Sequence, residues 1–247
     1  MLFPFVSGLT NNKTMIDGRE YLMDRHGFAL SREFKCIHEG DSKIIFELRE
    51  NETTLSMYPY RFRLIVTHSI KNDGFITEYN VENTDNKPVF FSIGGHPSFN
   101  APFDGIGEFS DHRIVFPCKV TTSKALTTDV GNEKTATEGQ EYETDTIKLS
   151  HELFNNGAIY IENAELNMVQ FVNEKTGNGF DFFFNGFCVL ALWTFPGKNA
   201  PFICLEPWHG MGESKEHSGL FTEKKYVISL NPNESYSASY GIKLRKA

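Results

Sequence analysis

Apolar and polar positions alternate with a period of two through much of this chain, the pattern of strands that bury one face. Ile44, Phe46 and Leu48 share one parity while Glu47 and Arg49 take the other, and Phe62, Leu64 and Val66 oppose Arg61, Arg63 and Thr67. After Asn72-Asp73-Gly74 the alternation resumes from Phe75 to Asn83. An Asp-Gly pair between two alternating runs predicts a hairpin, because those residues tolerate positive φ. Met168 to Val172 and Phe180 to Phe184, separated by Thr176-Gly177-Asn178-Gly179, predict a second one. The run Phe187 to Trp193 is apolar at both parities and predicts a central strand covered on both sides. Ile203 to Glu206, Tyr226 to Leu230 and Tyr236 to Leu244 read as further strands. Helical signals are confined to Ser150 to Phe154, with Ser150 as the N-cap.

The fold class is therefore all-β. Thr121 to Thr146 is rich in Thr, Asp, Glu and Gly and lacks periodicity. It reads as a long surface loop, because the same alternation stands on both sides and nothing marks two cores. Residues 1–247 form a single domain on this reading.

Composition sharpens the picture. The chain has 23 Phe and 9 Tyr, an excess that suits strands and a large core. A net charge of −8 with no Lys/Arg-rich run argues against nucleic acid and against anionic membrane as partners. The longest apolar stretch, Phe187 to Trp193, is too short to cross a bilayer. Met1 to Phe5 lacks the basic and apolar regions of a secretion signal, so a soluble, cytoplasmic protein is expected. Cys36, Cys118, Cys188 and Cys204 form no CxxC pair and read as reduced, mostly buried thiols. The eight histidines show no close ligand spacing, so no metal site is expected.

Two segments carry chemistry: Gly94-Gly95-His96-Pro97-Ser98-Phe99-Asn100 and Cys204-Leu205-Glu206-Pro207-Trp208-His209-Gly210. Each places an ionisable side chain at a strand end, followed by a proline that holds its backbone extended. The paired glycines before His96 permit a tight turn or a close approach to a ligand. His38, His68, His112, His151, His209 and His217 read as surface or structural residues.

The order of landmarks resembles the galactose mutarotase-like superfamily, in its LacX-like aldose 1-epimerase branch. Leu2-Phe3-Pro4-Phe5 resembles that family's early "FP" segment, Arg25-His26-Gly27-Phe28-Ala29 its "HGFA" segment and Tyr58-Pro59-Tyr60-Arg61-Phe62 its "YPYxF" strand. Gly94 to Asn100 is similar to "GGHPxFN", and Leu153-Phe154, Trp193 and Cys204 to Trp208 follow in order, the last as "CxEPW".

The resemblance implies a β-supersandwich that binds a small sugar and interconverts its anomers without cofactor or metal. It gives His96 the role of general acid and Glu206 that of general base, with His26 binding the sugar and Arg61 and Trp193 lining the cleft. A carboxylate suits removal of the anomeric hydroxyl proton and an imidazolium suits protonation of the ring oxygen. A free hexose such as galactose or glucose is the leading substrate. A hexose phosphate, or a non-catalytic sugar-binding role, are the alternatives.

Departures accompany the matches. Leu9 and Leu30 stand where arginines are common in the family, and Gly157 where an aspartate is frequent. Members also carry several strands before the "FP" segment, which here starts at residue 2, so a chain without those strands, monomeric or dimeric, is expected.

Overall fold

A computed structural model of the chain describes residues 1–124, 141–213 and 217–247. In chain order the strands are β1 (Lys13–Ile16), β2 (Arg19–Leu22), β3 (Lys35–Gly40), β4 (Lys43–Arg49), β5 (Phe62–Lys71), β6 (Gly74–Asn83), β7 (Val89–Phe91), β8 (Ile93–Gly94), β9 (Ser98–Asn100), β10 (His112–Lys124), β11 (Tyr142–Lys148), β12 (Ile159–Glu162), β13 (Met168–Asn173), β14 (Gly179–Asn185), β15 (Val189–Trp193), β16 (Phe202–His209), β17 (Ile228–Leu230) and β18 (Ser235–Arg245). One sheet runs β3-β4-β5-β6-β18-β14-β13-β10-β12-β15-β16-β8, with β11 added on β10 and β9 on β16. β1 pairs with β2 and β7 with β17. The fold is all-β, a single domain, as the alternation predicts.

The first predicted hairpin is present, but its glycine serves another purpose. β5 and β6 meet at Lys71 and Gly74, leaving Asn72 and Asp73 as the turn, and none of these residues has positive φ. Gly74 is required by packing: a Cβ there would stand 1.9 Å from the Ile242 carbonyl oxygen of β18. The second hairpin, β13 to β14, turns through Gly177 at φ 74°.

Two expectations need correction. The segment Ser150 to Phe154 is a 3₁₀ turn over His151–Phe154, and Ser150 makes no side-chain cap bond. The α-helix among the described residues is α1 (Glu52–Met57), started by Asn51, whose side chain accepts from Thr54 N–H while the Thr54 hydroxyl accepts from Asn51 N–H. That reciprocal capping is the Asn51-x-x-Thr54 signal in the sequence.

The expected loop from Thr121 to Thr146 is strand at both ends, since β10 continues to Lys124 and β11 begins at Tyr142. Val120 and Thr122 are buried, while their partners on β11 are largely exposed and polar, which hides the strand from a hydrophobicity reading. Residues 125–140 of that expected loop lie outside the described residues.

The aromatic excess is core. Phe99, Phe103, Phe171 and Phe180 interlock at centroid distances of 4.6 to 5.1 Å about Phe180, and Phe3 meets Phe62 at 5.0 Å in a second group with Phe28, Tyr58 and Phe91. Each buried ring contributes about 1.5–3 kcal/mol relative to exposure. All four cysteines are free thiols, but only Cys188 and Cys204 are buried, whereas Cys36 and Cys118 are exposed. No helix among the described residues is long and apolar enough to cross a membrane.

Asp104 ties the segment after β9 to the β13–β14 turn. Its carboxylate accepts from the Thr176 hydroxyl at 2.6 Å, from Asn173 Nδ2 at 2.8 Å and from Asn178 Nδ2 at 3.0 Å. Those bonds hold its carboxyl well below the usual carboxylate range. Asp104→Ala is expected to lower stability by about 1–2 kcal/mol in denaturant titration. A depressed folded-state pKa stabilises above the unfolded value of about 4, so the deficit should shrink as pH falls through the carboxylate range.

Candidate active site

The site is built by register. Across β12, β15 and β16, Tyr160 stands opposite Ala191 and Ala191 opposite Glu206; one row along, Trp193 stands opposite Cys204 and Cys204 opposite Ser98 of β9. Residues directly opposite one another in a ladder share a face, as do residues two apart on a strand. Tyr160, Glu206, Cys204, Trp193 and Ser98 therefore face the same way. Glu206 lies inside β16 rather than at its end.

His96 sits on the bridge between β8 and β9. The bridge is pinned to β16 on both sides of the histidine: Gly95 N–H donates to the Pro207 carbonyl at 2.9 Å and Leu205 N–H to the Pro97 carbonyl at 3.2 Å. Its two glycines have no positive φ; they are needed because side chains occupy the space of a Cβ. A Cβ at Gly94 would meet the Trp208 ring at 2.6 Å, and one at Gly95 the Tyr240 ring at 2.7 Å. The backbone thus runs between two aromatic rings and delivers His96 Nε2 to 3.3 Å from Glu206 Oε2.

His26 closes the group, with its ring 5.9 Å from that of His96 and 6.0 Å from that of Trp208. It is held at φ 68° by its own N–H donating to the Ser7 carbonyl, and Ser7 N–H donates back to His26 Nδ1 at 3.0 Å. The other ring nitrogen, Nε2, accepts from Arg25 Nε–H at 3.3 Å. Burial, with the nearby Arg25 charge, lowers the His26 pKa to about 3, so the ring is neutral. Trp193 borders His96 edge-on at 5.9 Å.

Glu206 is 3% exposed, and burial raises its pKa to about 8, against the opposing pull of the Arg25 charge and the Trp208 indole N–H. His96, about one-third exposed, is lowered from its usual value, again chiefly by burial. Burial thus favours the neutral form of both groups, a carboxyl at Glu206 and an imidazole at His96.

Of the five residues expected in the site, the structure brings together Glu206, His96, His26 and Trp193. Arg61 is elsewhere: it is exposed, its N–H donates to Asp85, and it borders a depression with Thr84, Asn86 and Asn233. Of the departures, Leu9 is buried in the core, Leu30 is 58% exposed and Gly157 has φ 105°. Arg25, Tyr160 and Cys204 join the site without having been singled out. Arg25 acts electrostatically on Glu206, His26 and His96, and Tyr160 is raised to about 12 by burial and by Glu206. Cys204 was legible, since it stands two residues before Glu206 on a strand and so shares its face. His96, Cys204 and Glu206 each offer one donor atom within 4.8 Å of the others, the arrangement among the described residues suited to a metal ion.

A model of the aldose 1-epimerase family matches residues 9–243. The plasmid and chromosomal LacX proteins of Lactococcus lactis subsp. lactis are each 28% identical to the chain over 254 residues, covering 98% of it and 83% of the relative. A galactose mutarotase related enzyme from Lactobacillus acidophilus shares the fold with a TM-score of 0.90 at 23% identity, over 99% of this chain and 82% of that one. A galactose mutarotase-like protein from Lactobacillus casei does so with a TM-score of 0.87 at 23% identity, over 99% and 84%.

The buried carboxyl makes stability pH-dependent. A folded-state pKa raised to about 8, above an unfolded value of about 4.3, means full stability below the unfolded value and loss as pH rises through the folded one. Glu206→Gln, which has no proton to lose, is expected to melt at a temperature that gains on the wild type between about pH 5 and about pH 9. Parallel melting curves across that range would show that Glu206 is not held protonated.

Proposed function

The chain belongs to the aldose 1-epimerase family, and on that premise we propose that it is a cofactor-independent mutarotase acting on a free hexose such as galactose or glucose. The observation that carries this reading is the buried Glu206 carboxyl 3.3 Å from the half-buried His96 imidazole. An acid and a base in contact are what ring opening requires, and sugar binding alone requires neither.

Between the two ionisations the pair holds one proton. A sugar whose anomeric hydroxyl donates to Glu206, with Arg25 nearby, stabilises the carboxylate and passes that proton to His96. Glu206 then takes the hydroxyl proton while His96 protonates the ring oxygen; the C1–O5 bond breaks and C1=O1 forms. Rotation about C1–C2 presents the other aldehyde face, and reversal of both transfers closes the opposite anomer. The neutral His26 ring and the Trp193 ring border the pair and would hold and orient the sugar, which converts proton transfer into a step between fixed partners.

Polarimetry of freshly dissolved α-D-glucose and α-D-galactose tests the reading. Glu206→Gln and His96→Asn should each lower kcat by about 10²-fold or more with KM little changed, and the double variant should be little worse than the poorer single one. The rate of chelator-treated protein should follow a bell. Its acid limb lies below the ordinary histidine value, where the pair gains a second proton, and its alkaline limb is near 8, where Glu206 loses the last one. Sugar binding without acceleration by the unmutated protein would instead identify a non-catalytic carbohydrate-binding protein.

A neutral sugar is expected to bind better than its 6-phosphate, because Leu9 is sealed in the core, Leu30 carries no charge and the chain is net negative. Competition in which the phosphate ester binds at least about tenfold more tightly would reverse that preference and favour a sugar-phosphate substrate.

A further inference from the structure

We propose that His96, Cys204 and Glu206 form a site for a zinc-class divalent cation, and that an ion held there excludes the sugar. The binding half of this proposal stands on the geometry alone; the exclusion half rests on the function proposed above.

The donors come from segments more than 100 residues apart, which is why histidine spacing gave no metal signal. On β16 the two-residue step from Cys204 to Glu206 sets thiol and carboxylate side by side, and the β8–β9 bridge brings the imidazole over them. Their donor atoms all lie within 4.8 Å of one another. Zinc takes sulfur at about 2.3 Å and nitrogen or oxygen at about 2.0–2.2 Å; His96 Nε2 and Glu206 Oε2, 3.3 Å apart, already suit a shared ion, and the Cys204 thiol must draw in to complete the set.

A second observation points to a ligand. Glu206 Oε2 is fully buried and makes no hydrogen bond: its contact with His96 lacks the geometry of one, and the Trp208 indole N–H, which acts on the carboxyl electrostatically, is itself without a hydrogen-bond partner. A buried, unpartnered carboxylate oxygen calls for a proton or a cation. The donor set selects which: thiolate, imidazole and carboxylate together suit zinc and disfavour magnesium and calcium, which take oxygen ligands. Ser98 Oγ lies 3.0 Å from Cys204 Sγ, placed to donate to the thiolate from the outer shell. Binding forms one Zn–S, one Zn–N and one Zn–O bond and releases the Cys204 thiol proton and the Glu206 carboxyl proton to solvent, leaving a fourth position for water.

Cobalt(II) provides a visible probe. Titrated into chelator-treated protein, it should give one saturable set of tetrahedral ligand-field bands with a near-ultraviolet thiolate charge-transfer band, bleached by added zinc. The spectrum should survive Cys36→Ser and Cys118→Ser, which remove the exposed thiols. Cys204→Ser should abolish the charge-transfer band and weaken zinc binding by at least about tenfold, and His96→Asn should weaken it similarly. Zinc should also slow mutarotation by the wild type by a larger factor than by Cys204→Ser, each measured against its own zinc-free rate. Absence of saturable binding, or a charge-transfer band unaffected by Cys204→Ser, overturns the site. A positive cobalt spectrum in a protein that does not accelerate mutarotation upholds the site and overturns the mutarotase reading.

Discussion

The site depends on the register of β16 between β15 and β9. Side chains change face at every residue, so a slip by one position would turn Glu206 and Cys204 away from Tyr160, Trp193 and Ser98. The register is over-determined. Val189 to Leu192 and Ile203 to Trp208 are buried continuously, and the β8–β9 bridge bonds to β16 on either side of His96. No single contact holds the carboxyl in place; the sheet does.

That rigidity explains how an unfavourable group persists. A carboxyl almost excluded from water costs least when protonated, and a neighbouring imidazole under the same burial prefers to be neutral. Burial is the main cause of both shifts, and the Arg25 charge opposes it at Glu206 while adding to it at His96. Opposite shifts of a carboxyl and an imidazole bring their proton affinities toward one another.

The architecture was legible because period-two alternation is a direct imprint of half-buried strands, and the two hairpins and the central strand followed from it. What escaped did so for identifiable reasons. Thr121 to Lys124 and Tyr142 to Lys148 pair as strands while carrying polar residues, so hydrophobicity did not mark them. Gly74, Gly94 and Gly95 were read as turn or ligand glycines, yet each is dictated by an atom of a distant element, Ile242, Trp208 or Tyr240. Arg61, just before β5, borders Asp85 and Asn86 instead of the site, whereas Arg25, adjacent in sequence to His26, is on it. A motif gives the neighbourhood of a residue; only the fold gives its direction.

One placement has a practical consequence. The chain contains two tryptophans, and both border the candidate site: Trp193 against His96, and Trp208, 2% exposed, against His26 and Tyr160. Tryptophan emission from this protein therefore originates wholly at the cleft. A bound sugar, a proton moving onto either imidazole, or an ion at the Cys204 thiol would each alter the surroundings of one indole while the rest of the sheet stays optically silent. The protein carries its own pair of probes, with no label to attach.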